Sequence, residues 1–413
     1  MASMKKQSLF FTCTLATLFL SACSAHGTDP SATKPAPTFT PVVIPTLTLT
    51  DTPAPPEAQT SGPFQAVSNA NGISPGKVYD LWVSLDGMVW VAGSNSVFRY
   101  SGGSFQTVYD KPLSRILGRD DAGRVWGLGA DGGEIAAYDG TTWKVYGPDQ
   151  GWDTPANASF GDGVATDPQG NVWLATGSDD LRRFEPQAGR WMSLTATGIG
   201  FNAADPDYQG HYLADVAGSQ SGAIWVADCI GKGEGFDGQG VRWLKDGKWN
   251  PILATEGNCV FDIEQDKAGR MWVGAPNALL RYDPVNGTWT EIPLPTWERP
   301  QIVISIDLDP AGDPWVSMYR CGGASCSDVV TYFLKNDAWL PLQAEGVMYM
   351  LPPSVAFSAD GTAWVCSEGS VYHRTLEQAE LIDTLNASAC VIAVDGAGTV
   401  WVGNAAGLWK LEP

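Results

Sequence analysis

DKAGRMWVGA, residues 266–275, carries the pattern that decides the fold. Gly269 stands three residues before Trp272, and Met271, Trp272 and Val273 form a short apolar run. Nearly the same phrase recurs as SLDGMVWVAG (Trp90), DDAGRVWGLG (Trp126), DPQGNVWLAT (Trp173) and SQSGAIWVAD (Trp225). It returns again as DPAGDPWVSM (Trp315), SADGTAWVCS (Trp364) and DGAGTVWVGN (Trp401). A glycine precedes every one of these tryptophans by three: Gly87, Gly123, Gly170, Gly222, Gly269, Gly312, Gly361 and Gly398. The anchors are 36, 47, 52, 47, 43, 49 and 37 residues apart. Recurrence at this length marks a solenoid, a propeller or an array.

Local chemistry chooses among these. Nine residues before each anchor lies an apolar residue within a β-prone run: Leu81, Leu117, Val164, Val216, Ile263, Ile306, Val355 and Ile392. Two more strand-like runs follow each anchor, as LLRYDP and TWTEIP follow Trp272. Gly, Asp, Asn and Pro fill the gaps as turn formers. After residue 62 no stretch keeps a helical period. Four short strands per repeat predict an all-β chain folded as an eight-bladed β-propeller of four-stranded antiparallel blades. Seven blades is the alternative, if one repeat is an inserted hairpin.

The ends support eight. The chain reaches GLWKLEP, only the third strand of the last repeat. GPFQAVSNANG, residues 62–72, resembles DGTTWKVYGPDQG of the second repeat. Phe64 to Val67 should therefore supply the missing fourth strand and leave no open edge. A second aromatic (Trp143, Trp191, Trp249, Trp289, Trp339, with Phe105 in the first repeat) should open the outermost strand and fill the space between blades. Such rings are expected to be core, each burying about 150–250 Å².

The N-terminus reads differently. Lys5 and Lys6 precede the apolar LFFTCTLATLFL, too short to span a membrane and suited to a signal peptide. It ends in Leu20-Ser21-Ala22-Cys23, which resembles the bacterial lipobox, so residues 1–22 are expected to be removed and Cys23 lipidated. Residues 23–61 follow as a disordered tether; positions 24–61 hold eight Pro and nine Thr, a composition that cannot bury a core. The propeller domain is expected over 62–413, outside the cytoplasm and anchored to the bacterial cell envelope. Formal net charge is −20, and removing residues 1–22 takes two lysines and no acid, leaving −22. That disfavours nucleic acid as a partner. A monomer is expected.

Six cysteines remain in the propeller, an even count that suggests disulfides in an exported chain. Cys229 follows Trp225 and Cys259 starts the next blade; Cys366 and Cys390 repeat that relation. The expected pairs are thus Cys229–Cys259 and Cys366–Cys390, with Cys321–Cys326 closing locally.

In a propeller, the loops from second to third strand and from fourth strand to the next blade emerge on one face. That face takes nearly all the length variation here, and variable loops on a rigid scaffold are where binding is usually built. Trp152 and Trp297 escape the repeat pattern and fall in these loops, with Tyr208, Glu298, Arg299, Tyr319, Arg320 and Tyr349 near them in sequence. Exposed rings would stack on a flat ligand, while buried ones would plug loop seams. Asp80, Asp215 and Asp262, with Ser305 and Ser354, stand ten residues before their anchors and are candidates to line the axis and hold Ca²⁺ or water. Asp205 and Asp207 in DPDYQG have part of a calcium-loop spacing. His211 is the one histidine expected in a face loop, and so the one candidate for acid–base catalysis.

DPQGNVWLATGSDDLRRFEPQAGRW (167–191) and LLRYDPVNGTW (279–289) resemble the two-component regulator propeller repeat. That resemblance implies an extracytoplasmic sensing module, in several relatives for glycans. No kinase or DNA-binding domain is read after the propeller, so direct signalling is not expected. The same phrases resemble streptogramin B lyase repeats, which implies a lyase with a histidine and a Mg²⁺ site; His211 is the sole counterpart here. The function classes in play are binding of a glycan or peptide, an extracellular lyase or hydrolase, and a scaffold for protein partners.

Overall fold

A computed structural model describes residues 62–67, 76–153, 163–203, 210–232, 235–296, 301–322, 325–342, 352–375, 378–385 and 389–413. The expected signal peptide (1–22), Cys23 and the expected tether (23–61) lie outside them. So do Asp205, Asp207, Tyr208, Trp297, Glu298, Arg299 and Tyr349. Among the described residues, no helix is long and apolar enough to cross a membrane.

The eight repeats are eight antiparallel four-stranded sheets, arranged as the blades of a propeller. Seven consist of four consecutive strands, from Val78–Val83, Val89–Gly93, Val97–Ser101 and Ser104–Tyr109 in blade 1 onward. The eighth combines Cys390–Val394, Val400–Asn404 and Gly407–Leu411 with the N-terminal Gln65–Ala66, which pairs with Lys410 and Trp409. The count of eight and the closing strand are as expected. Helical structure among the described residues is confined to three 3₁₀ turns: Pro148–Gln150, Thr197–Ile199 and Leu253–Thr255.

The anchor phrase builds the turn between the first and second strands. In all eight blades the residue six before the tryptophan donates its N–H to the carbonyl two before the tryptophan. The glycine donates back to that sixth residue's carbonyl, as in Asp266 N to Arg270 O and Gly269 N to Asp266 O. All eight glycines have φ between +77° and +87°, the left-handed region that costs other residues roughly 1–2 kcal/mol. The sixth position is always Asp or Ser. In blade 5 the Asp266 carboxylate accepts from the N–H groups of Ala268 and Arg270 and from Trp272 Nε1 at 3.1 Å. Trp126, Trp173 and Trp401 are pinned in the same way by Asp120, Asp167 and Asp395, and Trp364 by Ser358. The polar ends of these five rings are thus satisfied, whereas Nε1 of Trp90 and Trp225 is buried without such a bond.

Packing between blades follows from the two aromatic series. The outer-strand rings reach back to the anchor of the preceding blade: Trp143 to Trp90, Trp191 to Trp126, Trp249 to Trp173, Trp289 to Trp225 and Phe105 to Trp401. Buried apolar clusters fill all eight seams between neighbours, including the closing seam of blades 8 and 1 around Val78, Val391 and Trp401. The anchors are core as read from the repeat, Trp364 being half-buried; of the outer-strand rings only Trp191 is fully buried, and the others are half-buried rings packed against these clusters.

In blades 4 and 6 the extra residues after the anchor do not form loops. They lengthen the second and third strands into Ile224–Lys232 with Gly235–Lys245, and Pro314–Gly322 with Ser325–Lys335. A continued ladder pairs backbone groups that a long loop would leave to solvent.

Candidate functional site

Two faces can carry a site: the loop face, with the connections between second and third strands and between blades, and the turn face, with the eight anchor turns. Two expected disulfides brace the loop face. Cys229–Cys259 ties the long hairpin of blade 4 to the segment entering blade 5, and Cys366–Cys390 ties blade 7 to blade 8. Cys321 and Cys326 stand opposite each other in the blade 6 ladder; their side chains lie outside the described set.

Beside the first disulfide is a buried polar network. His211 is 6 % exposed. Its Nδ1 lies 2.9 Å from Asp228 Oδ1 and its Nε2 2.8 Å from the Asn202 carbonyl. Asp228, fully buried, also accepts the Gln239 N–H at 3.0 Å. The Gln239 side chain grips the Asn202 backbone at both ends. Arg242 donates to the carbonyls of Gly200 and Gln239 and lies over the Phe201 ring. Burial opposes the His211 charge. The hydrogen bond and field of Asp228, the Asn202 carbonyl and the field of Asp179 outweigh it, so the pKa is raised above 6.5. Both ring nitrogens are committed to acceptors. As a general base His211 would need a lone pair free for substrate, and this geometry offers none.

The other described loop-face candidates, Trp152, Tyr319 and Arg320, do not gather into one site. Trp152 is fully buried, packs against Trp191 at 4.9 Å and donates Nε1–H to the Gly132 carbonyl. The ring plugs a seam between blades 2 and 3 and presents no face to a ligand, which corrects the stacking role. Tyr319 is core as well, 5 % exposed, with burial pushing its hydroxyl up to about 12. Arg320 is half-buried and donates to the Tyr332 hydroxyl at 3.0 Å.

The axial carboxylates also take a different role. Asp80 Oδ2 accepts the N–H of Ile116 in blade 2. Asp215 accepts from Ile263 in blade 5, Asp262 from Ile306 in blade 6, and Ser354 from Ile392 in blade 8. Each side chain caps a backbone donor of the next inner strand and so staples neighbouring blades. Among the described residues, no three His, Cys, Asp or Glu side chains converge to hold a metal ion. Asp80, Asp215 and Asp262 thus act as staples in place of the calcium role expected of them: one oxygen of each is spent on a neighbouring blade's N–H.

Among the described residues, a concave surface lies on the turn face. Two adjoining cavities of about 680 and 360 Å³ surround the axis where the inner strands end, and share Trp82, Val83 and Gln265 in their walls. Every blade contributes the residue seven before its anchor. In order these are Val83, Arg119, Thr166, Gly218, Gln265, Leu308, Phe357 and Val394. The ring is divided. Blades 6, 7, 8 and 1 present an apolar arc, extended by Leu85, 68 % exposed at the rim. Blades 2 to 5 present a polar arc, joined by Lys267 and Gln220. Sequence reasoning missed this position although it recurs with the anchor, because the functional signal is variation at a fixed register rather than a motif. A cleft of this size, mostly apolar with placed polar groups, has the dimensions of a small-ligand site.

No protein-family model matches the chain, and no curated protein matches it. Solved structures do. A streptogramin B lyase structure is 13 % identical, with 84 % of this chain and 95 % of that one covered and a TM-score of 0.46. YCF48 from Cyanidioschyzon merolae is 16 % identical over 82 % of this chain and 97 % of that one, with a TM-score of 0.41. The extracellular domain of a putative one-component system from B. thetaiotaomicron is 12 % identical, with a TM-score of 0.39. There 85 % of this chain matches 59 % of the longer one. At these scores the likenesses have no bearing on chemistry.

Proposed function

We propose that this chain is an exported, lipid-anchored propeller whose work is to bind an extracytoplasmic ligand, a glycan or a peptide, in the axial cleft of its turn face. One observation carries the reading: a cleft to which all eight blades contribute, split into an apolar and a polar arc. A ligand with an apolar face and a hydrogen-bonding edge matches that division. The two disulfides agree with an oxidising compartment, and the Lys-apolar-Cys23 leader supplies the export signal and the anchor. His211, held through both nitrogens, argues for binding over proton-transfer catalysis.

The test is a thermal-shift screen of the mature chain against neutral and charged oligosaccharides and short peptides. Hits are repeated on Leu85→Asp and Phe357→Ala. A ligand at 100 times its Kd adds about 2.7 kcal/mol of stability. Both variants should keep the fold and lose that gain. A hit that stabilises wild type and both variants equally would remove the site from the turn face.

A further inference from the structure

We propose that His211 is a pH-operated latch: its imidazolium ties the segment Gly200–Asn202 to the long hairpin of blade 4, and loss of one proton releases that segment. This goes beyond ligand binding and does not depend on it.

The argument is one of donors and acceptors. The Asn202 carbonyl can only accept, so His211 Nε2, 2.8 Å away, must carry a hydrogen. The Asp228 carboxylate, 2.9 Å from Nδ1, also accepts. A neutral imidazole has one N–H and one lone pair; the anionic Asp228 keeps the Nδ1 proton, so the lone pair of Nε2 is turned on the Asn202 carbonyl. Only the doubly protonated ring satisfies both. The segment is otherwise tied by its own turn, Gly200 N–H to Thr197 O and Phe201 N–H to Ala196 O, by the buried Phe201 ring, by the Gln239 side chain on Asn202 and by Arg242 on Gly200. Of these, the Gln239 tie is set by Asp228, which accepts the Gln239 N–H. The charged groups around the ring are Asp228 on the second strand of blade 4, Asp179 in the hairpin of blade 3, and Arg242 on the third strand of blade 4, which also feels Asp228. Two acids against one guanidinium favour the cation. The raised pKa agrees with this. A group whose pKa is raised on folding stabilises the folded state fully below its unfolded value, and that stabilisation is lost as pH rises through the folded value. The latch is closed below the folded midpoint, which lies above 6.5, and opens as pH rises through it. Outside the cytoplasm, where this chain is proposed to reside, pH follows the surroundings.

The chain has three histidines, His26, His211 and His373, so ring proton–carbon NMR of the full mature protein resolves them, with His211→Gln assigning the signal. Amide exchange of residues 199–203 is followed over the same pH range, corrected for intrinsic rates and referenced to residues 271–275 in the core. The expected result is a His211 midpoint above 6.5 and a loss of protection in 199–203, about tenfold or more, through that same midpoint, as for one lost charge-assisted bond. Asp228→Asn should lower the midpoint and move the loss of protection to lower pH with it. A midpoint at or below 6.5, or protection that ignores the titration, overturns the latch. Should Asp228→Asn fail to fold, the wild-type titration and exchange decide by themselves. None of these readouts involves a ligand, so failure of the binding reading leaves this one untouched.

Discussion

Replacing Asp262 separates a blade staple from a metal ligand. Asp262 is 4 % exposed, and its Oδ2 accepts the N–H of Ile306, itself 2 % exposed, at 2.7 Å across the seam between blades 5 and 6. Asp262→Ala removes the acceptor and leaves a buried backbone donor too deep for water to reach. A hydrogen bond to a charged group contributes about 1.5–3 kcal/mol, and an orphaned buried donor costs about 1–3 kcal/mol of the same loss. The expected destabilisation is therefore about 2–3 kcal/mol. Asp262→Asn keeps a carbonyl acceptor in place and should cost about 1 kcal/mol, the charge-assisted part of the bond. The assay is urea denaturation followed by tryptophan fluorescence and far-UV circular dichroism, whose coincidence checks that one transition is being read. Each protein is measured with calcium and with EDTA. A staple predicts the order wild type, Asn, Ala under both conditions, with no calcium dependence. If calcium stabilised wild type by 1 kcal/mol or more and that gain vanished in Asp262→Asn, the staple argument would be refuted. A loss below about 0.5 kcal/mol in Asp262→Ala would refute it as well.

Three other outcomes are expected. Gly269→Ala should cost more than Gly361→Ala: both have positive φ, but a Cβ at 269 meets Gln220 Oε1 at 2.9 Å while none lies within 4 Å at 361. Urea midpoints should show about 2 against about 1 kcal/mol. Trp152→Ala should destabilise by about 3–5 kcal/mol in the same assay, as a buried aromatic does, and any ligand-induced shift in melting temperature should survive it. Opening Cys229–Cys259 as a Cys229→Ser, Cys259→Ser pair should cost about 3–4 kcal/mol for a link spanning 30 residues, and a cost near zero would deny the bond.

Legibility in the sequence followed the range of the interaction. Gly269 and Trp272 are read from the chain because the turn they make is local: a positive φ and a ring six residues from its Asp266 partner. The closing strand at Gln65–Ala66 was legible since the repeat count left one strand missing. The disulfides Cys229–Cys259 and Cys366–Cys390 were legible since the repeat fixes where each cysteine falls in its blade. Asp262 and Trp152 were not. Their surroundings come from residues 44 and 39 positions away, Ile306 and Trp191, and whether a carboxylate meets an ion or a neighbour's N–H depends on how two blades abut.

The sequence by itself determined the architecture, because a repeat that cannot bury its apolar faces alone must stack, and the spacing and turn chemistry of this one leave a ring of eight four-stranded sheets. Tertiary structure decided which polar and aromatic side chains are already spent. It turned Asp80, Asp215 and Asp262 into staples, sank Trp152 and Tyr319 into seams, closed both nitrogens of His211, and gathered one residue from each blade into the axial cleft. Those outcomes depend on contacts between blades, and a repeat unit carries no record of which neighbour its side chains will meet.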